Sequence, residues 1–187
     1  MFLCLGLYAL TASGVASAQP LQQLPEVAKA MEKIIQKEKA FNGFNYSSHQ
    51  VVTIKDNDRV PGLNGLMFVK YKNDAGQQIM LSIQWFEDKE DLLGFYVSNL
   101  DERKRQGNKP VRKNIGKNVI RETSIEGISL YEWTDAEHFA MSLGGPEVPP
   151  EMLKAYLKAV PGRSEDPEEK PEKQNADNSK RNPDSNE

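Results

Sequence analysis

The sequence predicts an α+β domain, an antiparallel β-sheet of about six strands with helices packed on one face. Three observations lead there. In Gly76–Leu100 the hydrophobic period changes midway: Ile79, Leu81, Ile83 and Trp85 alternate with Met80, Ser82, Gln84 and Phe86, as in a strand with one face on a core. After Asp88 the residues Leu92, Leu93, Tyr96, Val97 and Leu100 fall on one side of a helix. The other apolar alternations are joined by short turns, which favours antiparallel neighbours.

Taken in order, Phe2–Leu10 is almost wholly apolar and Ala16-Ser17-Ala18 supplies the small-x-small pattern of a signal peptidase site, so residues 1–18 read as a signal peptide cleaved after Ala18. No Lys or Arg precedes the apolar run, so the signal is atypical or translation starts further upstream. Cys4 is the only cysteine and leaves with the signal, which excludes disulfides, a cysteine nucleophile and cysteine-held clusters from the mature chain. From Pro25 to Phe41, Val27, Met31, Ile34, Ile35 and Phe41 recur at helical spacing, with Pro25 in the first turn and Asn42-Gly43 as the stop. Strands are expected at His49–Lys55, Leu66–Lys72 and Ile79–Phe86, the last two joined by the hairpin Asn73-Asp74-Ala75-Gly76. Asp88 and Asp91 form the acidic start of the central helix. Three more strands, Lys117–Thr123, Gly127–Trp133 and His138–Leu143, precede a helix that Pro149-Pro150 opens and Pro161-Gly162 ends. The order is helix, three strands, helix, three strands, helix, the outline of a duplication whose residues do not align.

The stretch from Ser82 to Phe95, SIQWFEDKEDLLGF, resembles the strand-turn-helix segment of the dimeric α/β-barrel proteins related to antibiotic-biosynthesis monooxygenases, and Asn42-Gly43-Phe44 is similar to the Gly-Phe that opens a strand there. Phe95 or Tyr96 stands where that family often has His on the helix. The resemblance implies, as an alternative architecture, a ferredoxin-like α/β-barrel unit with extra strands, and as an alternative function a small pocket-containing enzyme or carrier.

Residues 164–187 lack aromatic and branched aliphatic residues and read as a disordered acidic tail. Of the chain's 24 bases and 27 acids the tail holds four and eight, which leaves residues 19–163, a single domain, with 20 bases and 19 acids. Bulk charge therefore gives no reason to expect a nucleic-acid partner. No segment is long and apolar enough for a transmembrane helix in the mature chain, and the leader places the protein outside the cytoplasm, in a periplasm or the extracellular medium.

Gly116-Lys117-Asn118 lacks the spacing of a phosphate-binding loop, no Gly-x-Ser-x-Gly elbow occurs, and Gly62 and Gly65 make no dinucleotide fingerprint. Cofactor and metal are not expected. His138 falls near Glu132, Asp135 and Glu137 at a hairpin, where solvation alone accounts for such residues. Trp85, Tyr131, Trp133 and His138 are the pocket candidates, against the plainer role of aromatic core. Arg103, Lys104, Arg105, Lys109, Arg112, Lys113, Lys117 and Arg121 form a run of eight bases with no acid between them. They suit an anionic envelope component or an acidic protein, or simply complement a helix C-terminus. With no aromatic interleaved, the run does not suit single-stranded nucleic acid. The sequence thus reads as an exported binding or interaction domain, more readily non-catalytic than an enzyme.

Overall fold

A computed structural model of the chain describes residues 29, 31–34, 40–54 and 60–163. The expected leader and acidic tail lie outside the described residues, as does most of the first expected helix, of which residues 29 and 31–34 are helical. The elements that follow are β1 (Ala40–Phe41), β2 (Phe44–Thr53), β3 (Leu63–Lys72), β4 (Gln78–Phe86), the central helix (Lys89–Arg105), β5 (Val111–Ile115), β6 (Asn118–Ile125), β7 (Ile128–Thr134), β8 (Phe139–Gly145) and the last helix (Pro150–Ala159). All strand pairs are antiparallel and form one sheet in the order β1-β2-β3-β4-β8-β7-β6-β5. Two meanders, each ending in a helix, are thus fused through their final strands, with Ile83 opposite Met141 at the seam.

The sheet has eight strands where the sequence predicts about six. β1 is only two residues long, within the span expected to be helical. β5 is an edge strand whose first four residues are exposed, so both its faces are wet and no alternation marks it. β2 begins at Phe44, five residues before the expected His49, because its early positions are mostly solvent-facing and carry Ser and Asn. β4 and β8 are central strands, buried on both faces, which is why β4 shows apolar residues on the Phe86 side as well as the Trp85 side.

The residues sharing a face with Trp85 build the main core. In register across it lie Met67, Ile83, Met141 and Trp133, then Val69, Leu81, Leu143 and Tyr131. Met31 and the stripe Met152, Leu153, Tyr156 and Leu157 of the last helix cover this face. Two polar handles are satisfied inside it: the Trp133 indole donates to Val160 O at 2.9 Å, and the Tyr71 and Tyr156 hydroxyls meet at 2.6 Å. Gly65 is required opposite Trp85, because a Cβ there would run into the indole and stand 2.7 Å from Val52 O.

The central helix lies on the other face. Asp88 caps it, Oδ1 accepting from Asp91 N at 2.9 Å, and the narrow stripe Leu92, Tyr96 and Leu100 is buried. Leu92 packs with Leu63, Phe86 and Ala140, and the Tyr96 hydroxyl donates to Glu132 O at 3.1 Å. Helices therefore cover both faces, and the expectation of helices on one face is corrected. Leu92 and Tyr96 thus lie on the face opposite Trp85, which is buried beneath the last helix. The physical reason is that the Trp85 face is already filled, and Phe86, next along the strand, offers a large apolar group with Leu63 at the helix start on the other side.

Candidate functional site

The central helix covers only part of its face. It packs on β4 and β8 and reaches β7 through Tyr96, whereas Ser48, Gln50 and Lys70 on β2 and β3 remain exposed. There the sheet presents a half-open groove of about 520 Å³ lined by Ser48, His49, Gln50, Phe68, Lys70 and Met80. The register explains its make-up: Gln50 lies opposite Phe68, Ser48 opposite Lys70, and Lys70 opposite Met80, so all five project from the face away from the main core. Phe68 and Met80 are half-buried and form an apolar floor. β2, β3 and β4 contain no Asp or Glu, so the charge over this floor is positive. His49 stands at the margin, its Nδ1 2.7 Å from the Tyr46 hydroxyl and its Nε2 3.8 Å from Glu32.

From the groove a polar row crosses the sheet beneath the helix. Phe68 is followed in register by Ser82, Ser142, Glu132, Arg121 and Arg112. The small side chains of Ser82, Ser142 and Ala140 let the helix approach closely, and Glu132 beneath it is 6% exposed. Arg103 reaches down from the last turn, Nη2 3.4 Å from Glu132 Oε1. Burial pushes the Glu132 carboxyl above its ordinary range, and Arg103 pulls it part of the way back. Burial, reinforced by the Glu132 charge, likewise raises the Tyr96 phenol. Ser82 Oγ, Thr123 Oγ1 and Glu132 Oε2 are buried without a hydrogen-bond partner.

The sequence-derived candidates are dispersed. Trp85 and Trp133 lie in the main core, 6% and 0% exposed, and neither lines the groove. Tyr131 packs at the margin of that core, its phenol pushed up first by burial and then by Glu122. His138 is exposed in the β7–β8 turn, which Asp135 organises by accepting from the backbone N–H groups of Glu137, His138 and Phe139 at 2.8–2.9 Å. Among the described residues no group of three His, Cys, Asp or Glu side chains is placed to hold a metal ion. No described helix is long and apolar enough to cross a membrane.

Four of the eight bases in the Arg103–Arg121 run pair with carboxylates: Arg103 with Glu132, Lys104 with Asp101, Arg105 with Glu102 and Lys113 with Glu122. Lys109 and Lys117 are exposed, and Arg112 and Arg121 are cross-strand neighbours on β5 and β6. The groove residues Ser48, Gln50, Phe68, Lys70 and Met80 were not among the candidates. The signal that points to them is in the sequence: Phe68 and Met80 are large apolar residues on the outward phase of two strands that have no carboxylate.

No protein-family model and no curated protein matches the chain. Among solved structures it is similar to a GTP binding regulator from Thermotoga maritima, at 12% identity over 72% of this chain and 86% of that one, with a TM-score of 0.41. It is also similar to the extracellular domain of PknH from Mycobacterium tuberculosis, at 11% identity over 72% and 88% of the two chains, with a TM-score of 0.40.

Proposed function

We propose that the chain is an exported, non-catalytic binding domain whose site is the uncovered half of the sheet face shared with the central helix. One observation carries the reading. A groove of about 520 Å³ with an apolar floor and a positive rim sits where β2–β4 have no helix over them among the described residues. That volume falls in the range of small-molecule sites. The burial of Trp85 and Trp133 in the core between sheet and last helix supports the same reading, since neither side chain is free to line a site. Lys70 in the groove supports an anionic ligand.

The test has two parts. Thermal-shift screening of the full chain against small organic anions and neutral compounds should yield ligands whose effect disappears in Met80→Asp and survives in Trp133→Phe. Loss of the effect only in the second variant places binding in the core and contradicts the reading. Export is checked by the intact mass of protein recovered outside the cytoplasm, which should begin at Gln19; recovery with Cys4 retained opposes it.

One observation favours a small enzyme or carrier instead: Glu132, a buried carboxyl pushed up in range, with one oxygen unpartnered, in the polar row that starts at the groove. Its burial under Tyr96 and Arg103 keeps substrate from it, so the binding domain is the better reading.

A further inference from the structure

We infer that the groove takes a soluble amphiphilic anion, a small molecule with an apolar body and one acidic head. The inference rests on the groove being the binding site. Lys70 is exposed on its rim, and no ion pair to it occurs among the described residues. With no Asp or Glu on β2, β3 and β4, and with Glu32 at the margin beside His49, Lys70 favours an anion over a cation on the floor of the groove. Phe68 and Met80 supply polarizable apolar surface for a body, and Met adapts to irregular shapes.

A purely apolar ligand would leave Lys70 without a counter-charge, which disfavours it. A polyanion is also a poor fit, since one lysine on the rim cannot follow a chain of repeated charges. The recess beside the central helix suits a free molecule rather than the flat surface of a bilayer.

The experiment uses the full chain and two fluorescent probes, the anion 1-anilinonaphthalene-8-sulfonate and the uncharged N-phenyl-1-naphthylamine, with near-ultraviolet circular dichroism to show that each variant is folded. Lys70→Gln should weaken the anion about tenfold and the neutral probe less than about twofold, the scale of one charge-assisted hydrogen bond. Met80→Asp should weaken both, and Lys117→Gln neither. Vesicles of anionic phospholipid should not retain the protein on flotation; retention that depends on Lys70 would replace the free amphiphile by a bilayer and overturn the inference. If Met80→Asp weakens both probes while Lys70→Gln changes neither, the groove binds but its ligand is not anionic, and only this inference fails. If no probe binds, or binding ignores Met80, the groove is closed by another part of the chain or a second copy, and the proposed function fails with it.

Discussion

Glu132 shows how a single residue's surroundings oppose its chemistry. In sequence it stands in a cluster of acids around His138, yet the strand turns it to the opposite side from the aromatic core and places it under the central helix beside Arg103. Because burial raises its folded-state pKa, the stability it contributes is present below the unfolded carboxylate range and is lost as pH rises through the folded value. Glu132→Gln cannot ionise, so the variant should gain on the wild type as pH climbs through that window. Urea titrations of the pair across acid to neutral pH measure this, and a pH-independent difference would contradict the assignment. The tryptophans make the second residue-scale case. Alternation along β4 and β7 sufficed to place both away from their polar neighbours. Trp133, although it stands beside a hairpin turn, is fully buried and hydrogen-bonded. Trp85→Ala and Trp133→Ala should each cost about 3–5 kcal/mol; a small loss at Trp133 in chemical denaturation would mean that the last helix does not close over it.

At the scale of elements, the central helix was the most legible and the most misleading. Its start was readable because an Asp three residues before another Asp marks a cap, and Asp88 does accept from Asp91 N. Asp88→Ala should therefore lower stability by about 1 kcal/mol, and an unchanged denaturation midpoint would argue against the cap. The face it covers was not readable, because β4 is apolar on both sides and a short turn can deliver a helix to either. β5 is illegible for the converse reason: an edge strand wet on both faces has no periodic signal. Half of the basic run proves to be matched by carboxylates brought from neighbouring turns or strands, pairs that a linear reading of like charges does not foresee.

For the whole molecule, the join of β4 to β8 makes two meanders into one sheet with one main core. Trp85 and Trp133 come from different meanders but share that core, so tryptophan fluorescence in single-Trp variants and far-ultraviolet circular dichroism should report coincident unfolding; two separated transitions would mean that the halves fold independently. Among the described residues three helical segments lie on the two faces of eight strands, and the area they leave uncovered falls over β2–β4. The sequence held that fact only in the outward phase of Phe68 and Met80, which acquires meaning once the helix is known to sit elsewhere. The most direct test of the groove as the binding site is amide chemical-shift mapping of the isotopically labelled full chain during titration with 1-anilinonaphthalene-8-sulfonate. The account predicts the largest shifts at Ser48, Gln50, Phe68, Lys70 and Met80, whereas shifts centred on Trp85, Tyr131 and Trp133, or on the bases from Arg103 to Arg121, would contradict it.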